Sequence, residues 1–521
     1  MEAKTATKGE HVEHQKEGEA KATKPEEESS GPVGEAPSCC ELRGDNQKDS
    51  ELLGFTLEKT LTELEKEEWY HGCLPLEDIV GLLEHEGDFL IRGPDAQEEN
   101  DGASNTVAWI TVKCGDDVQD FPVRYKIVNK EHIFSIDGTN KKANIMELIK
   151  FHQSSATPVK DKVILKTPIP KQQWELRSDK IKLNEKIGAG AFGEVWLGTL
   201  EENPDDPPLQ VAIKLKKVNK ENQAKLDEMY REARLMRQYR HKNVVRFYGV
   251  VLKSADSAMI VMEYVDGGAL NDYLKKNTNV NVKTRISYAI DAATGLAYLH
   301  AKSCMHRDVA CRNCLIDVSK GIVKLTDFGL SKQAESYTIP KDEKLPIRWQ
   351  APEVIATRVY TLKSDVYSYG VLLWEIFNNG EAPYKGMDNK AVRENILDPK
   401  FRPPTDDSLP IVVSKVMLTC WRADPAKRPT MARIVQYLSN ARPEQLLPRS
   451  ELAKRSSSGS RDAPSVSRES QKRLRSRGGE MLAKGVNIIR HPADMVRQRP
   501  SSASASKQRS RKSQDGRSPK K

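Results

Sequence analysis

Gly188-Ala189-Gly190-Ala191-Phe192-Gly193 spells G-x-G-x-x-G, and the residues after it constrain the fold more than the glycines do. A dinucleotide-binding turn of this spacing runs into a helix, whereas Glu194-Val195-Trp196-Leu197-Gly198 is β-branched, aromatic and strand-like. The pattern predicts two strands joined by a loop that lies over a polyphosphate. Glycine suits that loop because a Cβ would hold the backbone away from phosphate oxygens.

Further motifs follow in order. Val211-Ala212-Ile213-Lys214 ends a strand pattern on a lysine, and the helical stretch LDEMYREARLMRQY carries Glu232, spaced to pair with it; Glu228 is a one-turn alternative on the same face. His306-Arg307-Asp308-Val309-Ala310-Cys311-Arg312-Asn313, then Asp327-Phe328-Gly329, then Ala351-Pro352-Glu353 complete the series. Together these resemble the protein kinase family over residues 181–441.

Phosphoryl transfer needs positioned phosphates, a metal ion to neutralise developing charge and a carboxylate to accept the hydroxyl proton. The resemblance implies that Asp308 is the base, that Lys214 contacts the ATP phosphates while Glu232 orients it, and that Asn313 and Asp327 hold Mg²⁺ through hard oxygen ligands. It further implies an ATP pocket built from Ile187, Gly188, Gly190, Gly193 and Val195, with Met262 as gatekeeper and Glu263 to Val265 as the hinge for adenine. Asp365 would brace the catalytic loop, and Arg428 would pair with Glu353.

Within the family the match is to tyrosine kinases. Ala310 stands where serine/threonine kinases usually have Lys, Arg312 fills the tyrosine-kinase position, and Pro346-Ile347-Arg348-Trp349 looks like the platform for a substrate tyrosine, with Gln350 an unusual successor. Tyr337 is the only tyrosine between Asp327 and Glu353, which makes it the expected regulatory phosphorylation site. Arg307 is its expected phosphate partner, with Lys332 or Arg348 as a second. Its polar neighbours lack helical or strand periodicity, so a mobile loop is expected there.

Upstream, Trp69-Tyr70-His71-Gly72 and Asp88-Phe89-Leu90-Ile91-Arg92 resemble an SH2 domain over residues 65–160, ordered as helix, several strands, helix. An arginine ending an apolar strand suits a phosphate, since a guanidinium offers two parallel hydrogen bonds. The resemblance makes Arg92, Arg124 and Lys126 the phosphotyrosine-binding residues. Leu76 stands where many SH2 domains carry a second arginine, and Gly93-Pro94 replaces the usual Glu-Ser of the phosphate loop. An SH2 domain leading directly into a tyrosine kinase resembles the Fer/Fes family, in a short Fer-like form without an N-terminal F-BAR domain.

The expected architecture is a multidomain α+β chain: a disordered segment at 1–60, the SH2 domain, a linker at 161–180, a bilobal kinase domain at 181–441 and a disordered tail at 442–521. Charge is uneven along it. Residues 442–521 hold 21 basic and 7 acidic side chains, so most of the chain is acidic on balance although the net charge is +9. An anionic membrane surface is the expected contact for that tail, with nucleic acid or a merely solvating extension as the alternatives.

No run of about 18 apolar residues occurs, so no transmembrane segment is expected, and the polar start gives no signal peptide. Glu2 at position 2 excludes an N-myristoyl anchor. A cytoplasmic location, peripheral at the inner membrane surface, is the expectation. Eight scattered cysteines make no disulfide framework, and the Cys311-Arg312-Asn313-Cys314 spacing has no partner pair to complete a zinc site. ATP, protein substrates with tyrosine and phosphotyrosine proteins are the expected partners. A catalytically dead phosphotyrosine adaptor is the competing reading, against which Lys214, Asp308, Asn313 and Asp327 all stand intact.

Overall fold

The computed structural model describes residues 57–93, 105–129, 131–190, 193–203, 205–217, 224–254 and 257–452. Most of the expected N-terminal and C-terminal disordered segments lie outside those residues. Their inner boundaries shift, however. Residues 57–64 form a helix (α1) with Leu64 fully buried, and ordered structure runs past residue 441 through a 3₁₀ turn at Pro443–Leu446.

An N-terminal unit is built on a five-stranded sheet of order β4-β3-β2-β1-β5, with β1 Asp88–Arg92, β2 Thr106–Cys114, β3 Asp117–Val128, β4 Glu131–Ser135 and β5 Thr167–Pro168. Neighbours are antiparallel except β5, which runs parallel to β1 and falls in the stretch expected to be linker. Strand alternation sends Phe89 and Ile91 into the core under α3 (Ile145–Ser154) and Leu90 and Arg92 to the other face. Helix α3 forms because Ile145, Leu148, Ile149 and His152 recur at helical spacing on a buried stripe, and the Asn144 side chain caps it by accepting from the Met146 N–H. The stretch around Leu76 to His85 is helical only over α2 (Leu76–Ile79), where Gly81 soon weakens continuation.

The second unit opens with a sheet of order β6-β7-β8-β10-β9: β6 Ile181–Gly190, β7 Gly193–Leu200, β8 Leu209–Lys217, β9 Phe247–Ser254 and β10 Ser257–Glu263, crossed by α4 (Ala224–Met236). A helical lobe follows: α5 Leu270–Lys276, α6 Val282–Ala301, α7 Pro352–Thr357, α8 Leu362–Phe377, α9 Asn389–Asn395, α10 Ile411–Cys420 and α11 Met431–Ser439. Helix α8 is its axis, since every residue from Ser364 to Ile376 is buried and a Thr361/Ser364 capping box fixes its start. Among the described residues no helix is long and apolar enough to cross a membrane.

The segment joining the units is not a free connector. Trp174 and Leu176 bond to both sides of Val250, adding a short strand to the edge of β9. Cys73 N–H donates to the Leu252 carbonyl, and Gly72, at φ +57°, lies so close that a Cβ would sit 2.0 Å from that oxygen. The His71 ring meets Glu175 at 2.8 Å and the Ile169 carbonyl at 2.9 Å. On α4, Arg234 bonds Asp78 at 2.8 Å and Glu77 at 2.6 Å, and Arg237 stacks on Trp174. Leu74, Ile79, Leu83 and Leu90 share one apolar cluster with α4 and β9.

Candidate active site

The β6–β7 hairpin pairs Gly190 with Gly193, and its tip, Ala191-Phe192, lies outside the described residues. Gly193 has φ +118°, and a Cβ there would meet the Leu215 carbonyl oxygen at 2.5 Å. Val195 on β7 faces Lys214 on β8, while Met262 on β10 faces Ala212. Ile187 stands exposed at the mouth, and Val265 is buried just past β10. The strand register thus sets Val195 beside Lys214 and Met262 beside Ala212, a residue the sequence reading did not single out.

Lys214 Nζ lies 2.8 and 2.7 Å from the two Glu232 oxygens and 3.6 Å from Asp327 Oδ1. The alternative left open by spacing, Glu228, faces Lys216 at 3.7 Å instead. Burial alone would lower the Lys214 pKa, but the two carboxylates outweigh it and raise it. Lys214 is thus a fixed cation at the cleft floor.

Asp308 sits on a loop whose shape is imposed from α8. Asp365, fully buried, accepts the backbone N–H of His306 at 2.8 Å and of Arg307 at 2.9 Å, the Tyr360 hydroxyl at 2.7 Å, and faces His300 at 3.0 Å. Burial would raise its pKa, yet His300, His306 and the backbone donors hold it below the ordinary range. These bonds stabilise the left-handed backbone of Arg307, at φ +68°.

Asp308 accepts from the Asn313 amide at 2.7 Å and from Arg312, whose guanidinium stacks 4.1 Å over Trp349. Burial pushes the Asp308 carboxyl up, and Arg312 and Asn313 pull against it. Because the Asn313 nitrogen is committed to Asp308, its amide oxygen is the atom that would be left, with the Asp327 carboxylate, to hold a metal. That all-oxygen pair fits a hard divalent ion. Cys311 and Cys314 are buried, free thiols, and no cluster of three metal-ligating side chains occurs among the described residues. The Cys311 N–H donates to Glu375, whose carboxyl burial pushes up to about 7.

Glu353 and Arg428 form a two-point ion pair at 2.6 and 2.7 Å with the arginine side chain fully buried. Arg428→Ala is expected to lower unfolding stability by about 3–5 kcal/mol, because it strands a carboxylate in a partly buried site. A chemical denaturation midpoint reads this; a loss below about 1 kcal/mol would show the pair to be dispensable.

Tyr337 differs from expectation in its surroundings. Its segment is held in two small ladders, Lys332–Gln333 against Cys304–Met305 and Ser336–Thr338 against Val359–Thr361, whose partners are tertiary and leave no periodic signal. The Tyr337 hydroxyl donates to Glu343 at 2.9 Å, Glu343 pairs with Arg307, and that guanidinium covers the Tyr337 ring at 4.4 Å. Lys332 is near the same ring at 5.2 Å, whereas Arg348 turns away to the Pro383, Tyr384 and Met387 carbonyls.

In the N-terminal unit Arg92 is buried. It donates to Thr111 at 3.0 Å and to Asp120 at 2.7 Å, and Thr111 in turn bonds Asp120. Arg124 and Lys126 are exposed on the same sheet face, two and three alternations beyond Asp120, so the three cations share a face. Pro94 and the rest of the loop to residue 104 lie outside the described residues. The sequence reading missed Thr111, Asp120, Glu343 and Glu375. A threonine wholly buried in TVAWITVK and a lone acid in the apolar run LLWEIF were the signals available.

Comparison with known proteins extends this picture. Residues 181–438 match the protein tyrosine and serine/threonine kinase family. Fer-related kinase 1 of Caenorhabditis elegans is 36% identical over 382 residues, covering 72% of this chain and 94% of that protein. The human tyrosine-protein kinase Fer is 34% identical over 396 residues, 75% of this chain and 45% of that protein, and the transforming protein Fps of avian sarcoma virus (strain PRCII) is 34% identical over 377 residues, 71% of this chain and 67% of that protein. Spanning nearly all of the nematode relative at this identity, the chain belongs to the Fer-like family of non-receptor protein-tyrosine kinases.

Proposed function

We propose that the chain transfers the γ-phosphoryl group of ATP to tyrosine hydroxyls of protein substrates, and that its N-terminal unit is an SH2 domain that recruits it to phosphotyrosine. The observation that carries the first part is the assembled cluster of Lys214, Glu232 and Asp327 across the cleft from Asp308, Asn313 and Arg312. Membership of the kinase family implies ATP and a divalent cation; Mg²⁺ is the ion proposed, and when bound it supplies neutralisation of charge on the transferred group. Lys214 holds the phosphates in register. Asp308 accepts the tyrosine proton, kept in orientation by Asn313 and Arg312. Arg312, which bonds Asp308 and stacks over Trp349, fills the tyrosine-kinase position of the catalytic loop, and this supports tyrosine over serine. Incorporation of radiolabelled phosphate into a glutamate–tyrosine copolymer tests this. No incorporation above background would sink it.

The SH2 reading is supported by Arg92 at the end of a buried strand, with Arg124 and Lys126 on its face. The matched stretch in the nematode relative, 382 residues, also exceeds the kinase segment. The basic composition of residues 453–521 supports a contact with anionic membrane surface, and with it a cytoplasmic, peripheral location.

Tyr337 is proposed as the activating site. Glu343 already presents one negative charge to Arg307, and a phosphate on Tyr337, carrying about −1.5 to −2, would replace it as the stronger partner. Tyr337→Phe is expected to start at wild-type activity and then fail to accelerate during preincubation with ATP. Identical time courses would place the switch elsewhere.

A further inference from the structure

We propose that a groove between α10 and α11 is a docking site for an acidic peptide segment with interspersed apolar side chains, carried by the protein substrates of this chain. The proposal rests on the tyrosine-kinase reading above and names a feature of its substrates. The groove measures about 610 Å³ and is rimmed by Lys415, Leu418, Arg422, Lys427, Arg433 and Tyr437. Val416 and Ile434 form its buried floor.

Every charged residue lining it is cationic. Arg428 at its base is neutralised by Glu353, and Lys427 has only an exposed partner, Asp424, at 3.5 Å. Lys415, Arg422 and Arg433 meet no carboxylate among the described residues; Arg422 spends one donor on the Lys427 carbonyl. The accumulated charge is felt nearby, since burial and then Arg428 and Arg433 lower the pKa of Lys363.

The same rim leaves Leu418 57% and Tyr437 41% exposed, so water meets large apolar surfaces between the cations. An occupant that satisfies both must be acidic and apolar at once. A lipid surface offers both properties too, but a flat bilayer cannot enter a recess of this size, whereas an extended or helical peptide can. The location fits a substrate. Arg428, which lines the groove, holds Glu353 only a few residues from the Pro346–Trp349 platform, so both points of attachment belong to one lobe.

The test uses the full chain and a fluorescein-labelled probe, Glu-Glu-Leu-Glu-Glu-Leu-Glu, followed by anisotropy. Two controls replace its leucines by serine or its glutamates by glutamine. We expect the wild type to bind the probe, both controls to bind weakly, and Lys415→Glu/Arg433→Glu to lose affinity by about 20-fold or more. Fusing the probe sequence to a tyrosine peptide should lower KM relative to the unfused peptide in the wild type and not in the variant. Equal probe affinity in the two proteins, or a serine control that binds as tightly as the probe, overturns the proposal. So does loss of sedimentation with equimolar phosphatidylcholine–phosphatidylserine vesicles in the variant with no probe binding in either protein, which assigns the groove to lipid. Absence of any peptide phosphorylation while the probe still binds would count against the kinase reading alone.

Discussion

Asp308→Asn is expected to lower kcat for tyrosine phosphorylation by about three powers of ten while the protein still melts cooperatively, because a positioned general base contributes roughly 10²- to 10⁴-fold. The substitution keeps volume and leaves one amide oxygen, so one of the two donors, Arg312 or Asn313, loses its acceptor, while the backbone bonds from His306 and Arg307 to Asp365 that shape the loop are untouched. What it removes is the ability to take the phenolic proton. Lys214→Met should be comparably severe by a different route. It strips the cation that Glu232 and Asp327 share, and leaves two carboxylates facing each other across the phosphate site. Single-turnover rates at saturating ATP measure both. Wild-type-like turnover in Asp308→Asn would remove Asp308 from the chemistry.

The second large effect is expected at Arg92. Arg92→Leu should weaken binding of a phosphotyrosine peptide to the full chain by at least two powers of ten, since losing a buried, hydrogen-bonded charge partner costs about 2–5 kcal/mol. The structure adds a condition. Arg92 is already engaged by Asp120 and Thr111, so an arriving phosphate shares or displaces that carboxylate. Asp120→Asn, which keeps a partner for Thr111 but removes the charge, should therefore tighten the peptide. Calorimetry decides between the cases. Unchanged affinity in Arg92→Leu would hand the phosphate to Arg124 or Lys126, or remove the SH2 reading altogether.

Residues whose chemistry demands one side chain were readable from sequence. Lys214, Asp308, Asn313 and Asp327 stand together in the fold because each sits in a short motif whose neighbours set its local geometry, such as the left-handed backbone at Asp327, φ +64°. Their carboxylate counterparts were harder. Glu232 could be narrowed only to one of two acids a turn apart, and Glu343, Asp120 and Glu375 carry no motif, since a single acid at a distant position suffices to meet a guanidinium or a backbone N–H. Between Lys332 and Arg348, the two residues expected as a second partner, the sequence could not choose for the same reason: nothing local shows that carbonyls 35 to 39 residues later will claim the Arg348 donors. The strand segments Lys332–Gln333 and Ser336–Thr338 are too short to show alternation and exist only because a partner strand is delivered to them.

The strand that Trp174 to Leu176 adds to β9 changes where the catalytic unit ends. In the sheet order β9 is outermost, and an uncovered outer strand offers its N–H and C=O groups to any other chain that presents the same edge. Here that template is occupied from within, and Gly72 and Cys73 close over the next carbonyl along. A kinase cut free at residue 181 would keep every side chain proposed for catalysis and yet gain a sticky border, so the residues before it guard against edge-to-edge self-association as well as joining the two units.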